Sequence, residues 1–110
     1  MKIGKRDTSK AVIVIAEIGN NHEGNIDLAA ELIGRAAESG ADAVKFQTYN
    51  TETLISPNDI DRFNRMKKFE FSEEAFTKLS NQAKDLGIGF ISTPFDLPSV
   101  TFLNGIVDAI

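Results

Sequence analysis

Polar side chains stand where apolar, β-branched runs give way to turns. Glu17 follows Val12-Ile13-Val14-Ile15, Lys45 and Gln47 follow Ala43-Val44, and Thr93 follows Phe90-Ile91-Ser92. Polar groups gathered at the C-terminal ends of parallel strands are where α/β proteins keep their chemistry. The run Asp42-Ala43-Val44-Lys45-Phe46-Gln47-Thr48 is the sharpest of these. An ammonium in an apolar strand is costly unless it is paired or meets an anion. Gln47, two residues on, shares the face of Lys45 and adds an amide donor in the same direction. A cation beside an amide donor suits a carboxylate or a phosphate. The residues leave two readings of Lys45 open, an anchor for such a ligand or a rim lysine paired with Glu17 of the neighbouring strand. Glu17 is open in the same way: it could balance Lys45, or it could orient a hydroxyl or water, or move a proton. Thr93, with Ser92 before it and Pro94-Phe95-Asp96 after it, offers a hydroxyl and a backbone N–H close to a helix start, where partial positive charge favours anions. Alone, such a turn is more often a plain helix entry.

Other candidates carry less. His22 is the only histidine, so the chain cannot build a two-histidine metal site by itself, and a solitary loop histidine reads as a hydrogen-bonded loop organiser. Gly19 and Gly24 bracket it without matching the dinucleotide fingerprint, and no phosphate loop ending in Gly-Lys-Ser or Gly-Lys-Thr occurs. Arg62, Arg65, Lys67 and Lys68 are interleaved with Asp59, Asp61 and Glu70, the pattern of a solvated face.

The elements that must position these groups follow from periodicity. Met1 to Lys10 is polar, a short rim strand or an arm. Ala11 to Ala16 is a continuous apolar run and reads as a strand buried on both faces. After the loop Gly19 to Gly24, Asn25 caps a helix with Leu28, Ala29, Leu32, Ile33, Ala36 and Ala37 on one stripe, stopped at Gly40. Ala43 to Phe46 is the next strand. Ser72 caps a helix with the stripe Phe76, Leu79, Ala83 and Leu86, stopped at Gly87. Ile88 to Ser92 is a third strand, and Asp96 caps a helix carrying Val100, Leu103 and Ile106. Val107 to Ile110 reads as the approach to a fourth strand. Between the second strand and its helix, Tyr49 to Glu70 has weak periodicity. Long βα segments are usually lids or binding loops, so it is expected over the site, although Ile60 to Lys68 could form a short helix packed on the rim.

A β-α-β-α-β-α order forces parallel strands with right-handed crossovers. Two architectures satisfy it, a doubly wound domain or the start of a (β/α)8 barrel, which needs about 250 residues. A strand beginning at the last residue favours the barrel, with residues 1–110 as its N-terminal portion, ending before a fourth strand.

Composition narrows the function. The chain has 110 residues, 42% hydrophobic and 25% charged, enough to bury a core. Its 12 Lys and Arg against 16 Asp and Glu give a net charge of −4, which argues against nucleic acid or an anionic membrane as partner, so any anion site is local. There is no cysteine nucleophile or disulfide framework. The N-terminus lacks a signal-peptide core and no stretch approaches the roughly 20 apolar residues that span a bilayer, so the expected location is the cytoplasm.

On three motifs the chain resembles the sialic acid (N-acetylneuraminate) synthase family: Ala16-Glu17-Ile18-Gly19-Asn20-Asn21-His22-Glu23-Gly24, Asp42-Ala43-Val44-Lys45-Phe46-Gln47-Thr48 and Phe90-Ile91-Ser92-Thr93-Pro94-Phe95-Asp96. The resemblance implies a (β/α)8 barrel and the condensation of phosphoenolpyruvate with an N-acetylated amino sugar, N-acetylmannosamine or a relative, to a sialic-acid-type nonulosonate with release of phosphate. It implies that Lys45 and Gln47 hold the phosphoenolpyruvate carboxylate, that Thr93 helps bind the phosphate with Ser92 as a further substrate-binding residue, and that Glu17 faces the reacting carbons or the water. Glu17 and Lys45 are then the catalytic pair. It also implies a divalent ion, Mn2+ or Mg2+, with ligands outside this chain, and a homodimeric full-length enzyme. A piece ending before the fourth strand is expected to be inactive alone and to self-associate through unpaired strand edges. The competing expectation is a noncatalytic barrel piece completed by another chain.

Overall fold

Apolar runs and helical stripes become alternating strands and helices in the computed structural model, which describes residues 1–110. In chain order these are β1 (Lys2–Ile3), β2 (Arg6–Asp7), β3 (Ile15–Gly19), α1 (Ile26–Glu38), β4 (Ala43–Thr48), α2 (Thr51–Leu54), α3 (Ile60–Phe69), α4 (Glu73–Asp85), β5 (Gly89–Pro94) and α5 (Leu97–Leu103). The polar N-terminus is a hairpin of β1 and β2. β3, β4 and β5 form one parallel sheet in that order, and Ala109 pairs with Ile91 in the same sense, extending the pairing one step beyond β5.

The helices start where capping chemistry starts them. Asn25 accepts from the Leu28 N–H at 3.1 Å, Ser72 from Ala75 at 3.1 Å and Asp96 from Ser99 at 2.8 Å, each satisfying a first-turn donor that the helix cannot. α1 and α4 then bury one face of the sheet. Ala29 and Ile33 from α1 and Phe76, Leu79 and Ala83 from α4 close over Ile18, Val44, Phe46 and Phe90, and Phe102 of α5 packs against the same cluster. Each buried Ile, Leu or Phe contributes roughly 1.5–3 kcal/mol of transfer free energy. Strand order following chain order, with α1, α4 and α5 all on one face, is the winding of a (β/α)8 barrel; a doubly wound sheet reverses its order and places helices on both faces.

Several boundaries differ from the sequence reading. The run Ala11 to Ala16 is not a strand buried on both faces: pairing begins at Ile15, Val12 is 88% exposed and Val14 57%. β3 has a strand partner on one side and helix cover on one face, so the apolar run has nothing to bury it. β4 and β5 run on to Thr48 and Pro94, which places Gln47 and Thr93, as well as Lys45, within strands. Leu86 and Val100 lie at the margins of their stripes and are exposed.

The N-terminal rim of the sheet is closed by carboxylates. Asp42 accepts from the Val14 N–H at 2.9 Å and pairs with Arg6 of the hairpin at 3.1 Å; Asp108 accepts from the Phe90 N–H at 2.9 Å. These bonds hold the strands in register at their N-terminal ends.

Gly24 shows how tightly the loop above β3 is seated. Its φ is +80°, and an added Cβ would run into the Lys68 carbonyl oxygen at the end of α3, whereas Gly40, with φ +86°, faces open space. Gly40→Ala should cost about 1–2 kcal/mol from backbone strain alone, and Gly24→Ala at least ~3 kcal/mol. Urea unfolding of both variants checks this; equal losses would contradict the contact between the loop and α3.

Candidate functional site

Side chains alternate along β4: Val44, Phe46 and Thr48 are buried under the helices, while Lys45 and Gln47 are turned to the other face. Parallel register carries that face across the sheet. Glu17 lies opposite Lys45, and Thr93 lies opposite Gln47. The structure therefore brings Glu17, Lys45, Gln47 and Thr93 together on the face that α1, α4 and α5 leave open. Lys45 Nζ sits 2.8 Å from Glu17 Oε2, with the two side chains 36% and 51% exposed. Glu17 thus supplies the charge that the strand lysine needs, although an ion pair this exposed stabilises the fold by less than ~1 kcal/mol.

Ser92 does not join them. It lies opposite Phe46, is fully buried on the helix side, and its Oγ is 2.7 Å from Thr48 Oγ1. A strand sends consecutive residues to opposite faces, so Ser92 and Thr93 cannot both reach one ligand. Ser92 joins β4 to β5 from behind the site.

A bulge ends the pairing of β3 with β4. Glu17 faces Lys45, but Gly19 faces Phe46, so β3 spends an extra residue, Ile18, on the same rise. In the loop that follows, Asn20 Nδ2 donates to Gln47 Oε1 at 3.0 Å and Asn21 Nδ2 donates to the Ile18 carbonyl at 2.8 Å. Asn20 was not singled out in the sequence, because its place beside Gln47 depends on a bulge that residue spacing does not announce.

His22 organises the loop, as its isolation implied, and it does so from inside the core. It is fully buried and stacked on Phe71 with centroids 4.0 Å apart. Nδ1 accepts the Gly24 N–H at 3.0 Å, which puts the proton of the neutral ring on Nε2, an atom with no partner. Burial pushes the pKa of His22 below its ordinary value.

The segment from Tyr49 to Glu70 is folded by its own partners, and the short helix expected over Ile60 to Lys68 is present as α3. Tyr49 Oη donates to the Met66 carbonyl at 2.7 Å, the Thr51 N–H and hydroxyl donate to Glu70 at 2.7 and 2.9 Å, and Lys67 pairs with Glu52 at 2.8 Å. Burial, with the charge of Glu70, pushes the Tyr49 phenol up to about 12. No hydrogen bond or ion pair of this segment reaches Lys45, Gln47 or Thr93. Its amphipathic α3 and its internal partners seat it beside the rim, with Arg62, Arg65, Lys67 and Lys68 in solvent. At the other end of the rim, burial pushes the Asp96 carboxyl up, but hydrogen bonds from Ser99, Asn50 and Thr53 outweigh it and hold the group below the usual carboxylate range. No group of three His, Asp or Glu side chains is gathered that could hold a metal ion.

His22 gives the fold a pH dependence whose sign follows from burial. Its folded pKa lies below the unfolded value of ~6.5, so the unfolded chain takes up the proton first as pH falls. The stability from a neutral His22 is complete above that value and is lost as pH drops through the folded pKa. Tm should therefore fall as pH drops below ~6.5, and His22→Phe, which keeps the stack on Phe71 but cannot titrate, should lose that part of the slope. An unchanged slope in the variant would assign the dependence elsewhere.

Comparison with known proteins agrees with this geometry. Residues 32–110 match the model of the NeuB family. The chain is 46% identical over 106 residues to an uncharacterized protein of Methanocaldococcus jannaschii, covering 94% of this chain and 31% of that one. It is 42% identical over 114 residues to the N,N'-diacetyllegionaminic acid synthase of Legionella pneumophila, covering 92% and 32%. Among solved structures, the N-acetylneuraminic acid (sialic acid) synthetase of Leptospira borgpetersenii, in complex with citrate, superposes with a TM-score of 0.81 at 39% identity, over 86% of this chain and 33% of that one. The chain thus spans about a third of the length of the relatives it matches. No helix is long and apolar enough to cross a membrane. A parallel βα sheet with its polar residues on one open face, matched over most of its length by sialic-acid-type synthases, places the chain in the NeuB family.

Proposed function

We propose that the chain forms the opening βα units of a phosphoenolpyruvate-dependent sugar acid synthase and carries the part of the active site that seats the phosphoenolpyruvate carboxylate. The observation that supports this most strongly is the common face of Lys45, Gln47, Thr93 and Glu17 in a chain of this family. In this reading Lys45 Nζ and Gln47 Nε2 donate to the carboxylate, and Thr93 gives its hydroxyl to the phosphate. Glu17, beside Lys45, faces the carbon that becomes electron-poor. C3 of phosphoenolpyruvate bonds to the aldehyde carbon of an open-chain N-acetylated amino sugar, N-acetylmannosamine or a relative. The aldehyde oxygen takes a proton, water adds at the cationic C2, and phosphate leaves to give a 2-keto sugar acid. Fixing the carboxylate while a carboxylate steadies the developing cation is positional and electrostatic catalysis.

The charges present also say what else the enzyme needs. Lys45 and Glu17 cancel formally, while phosphoenolpyruvate brings a carboxylate and a phosphate, so further positive groups must come from outside these residues. A divalent ion, Mn2+ or Mg2+, would polarise the sugar aldehyde. This chain does not suit it: Glu17 is engaged by Lys45, His22 is sealed in the core, and no donor cluster exists. We therefore assign its ligands to strands beyond residue 110. The complete enzyme is proposed to be a cytoplasmic homodimer, and residues 1–110 alone to be inactive and self-associating along the free edge of β3. That free edge, next to the exposed Val14, is also what supports the competing reading of a noncatalytic barrel piece completed by another chain.

A synthesis assay on the complete gene product decides between them. With phosphoenolpyruvate, Mn2+ and a panel of N-acetylated amino sugars, phosphate should be released with at least one sugar. Lys45→Met should lower kcat/KM by about 100-fold or more while Tm stays near that of the parent protein. No release from folded, metal-loaded protein, or near-normal kinetics in the variant, would contradict the reading.

A further inference from the structure

An extra residue in one strand changes what stands opposite its neighbour. Counting forward from the pairs Glu17–Lys45 and Gly19–Phe46, Asn20 comes level with Gln47. Without the bulge at Ile18 it would come level with Thr48 and turn to the helix-covered face. The bulge therefore delivers Asn20 to the edge of the proposed anion seat, where its Nδ2 donates to Gln47 Oε1 at 3.0 Å.

A free glutamine amide has two orientations of similar energy, one presenting its oxygen and the other its NH2. An oxygen turned toward a bound carboxylate repels it, and two N–H donors attract it. We propose that Asn20 is a positioning residue that engages the oxygen of Gln47 and so keeps the Gln47 NH2 available as the carboxylate donor beside Lys45. This rests on the reading of that seat given above. A second observation separates the role from plain loop stability: Asn20 Oδ1 is buried with no hydrogen-bond partner. An orphaned buried acceptor is unfavourable, so an apolar residue of similar size would serve the fold better. What the asparagine retains is its donor, and that donor goes to Gln47.

Phosphoenolpyruvate binding to the complete gene product, followed by calorimetry, tests this with Asn20→Leu, Gln47→Leu and the double variant. Asn20→Leu should weaken binding about tenfold, the loss of one well-aimed hydrogen bond to a charged group, and KM for the acceptor sugar should stay unchanged. In the Gln47→Leu background the same substitution should add nothing, because no amide is left to orient. Asn20→Asp, equal in size, cannot donate and instead attracts the Gln47 NH2; it should weaken binding at least as much and keeps the test available if the leucine variant is unstable. Unchanged affinity in both variants, or an equal loss with and without Gln47, overturns the inference. A folded parent protein that binds no phosphoenolpyruvate overturns it together with the functional reading, whereas parent binding with indifferent Asn20 variants overturns it alone.

Discussion

A parallel sheet covered by helices on one side has two unequal faces, and the two-residue period of a strand decides which residues go to which. Everything at this site depends on that parity. Val44, Phe46 and Thr48 form part of the packed interior, so Lys45 and Gln47 have no choice but the open face. Register then carries the choice to the neighbours and recruits Glu17 and Thr93. The same rule sends Ser92 to the helix side, where its hydroxyl meets that of Thr48. A hydroxyl without a partner there would be destabilising, and the two residues satisfy each other across the strands.

The rim is held by structures of different kinds at its two ends. After β3, the loop is set by a buried imidazole, a left-handed glycine against the Lys68 carbonyl, and an asparagine that reaches Gln47. After β5, Asp96 caps α5 and at the same time accepts the Asn50 N–H at 2.8 Å, which ties the exit of β4 to the start of that helix. The flap between β4 and α4 is pinned by Tyr49 and Glu70. These contacts fix the open face of the sheet from within the fold, as the proposed seat would require if it is to act by positioning alone.

Much of this was legible in the residues. Caps at Asn25, Ser72 and Asp96 were readable because capping needs a short polar side chain at one defined position, and the Lys45 and Gln47 pair because a period of two needs no tertiary information. Burial of the first apolar run was not, because Val12 and Val14 have the composition of a core strand and lack the neighbours that would make them one. Ser92 was grouped with Thr93 by adjacency, although adjacency in a strand means opposite faces. Asn20 was invisible because a bulge is set by backbone geometry between two strands. The short helix over Ile60 to Lys68 was legible, but the order of the rest of the flap comes from side-chain partners such as Thr51 and Glu70 that lie far apart in sequence.

Whether Lys45 and Gln47 form the proposed seat of a carboxylate is decided by a crystal structure of the complete gene product with phosphoenolpyruvate bound. The carboxylate is expected within hydrogen-bond distance of Lys45 Nζ and Gln47 Nε2, with Thr93 toward the phosphate and the Asn20 bond to Gln47 intact. Phosphoenolpyruvate bound elsewhere, or bound at this rim with its carboxylate turned away from both residues, would contradict it.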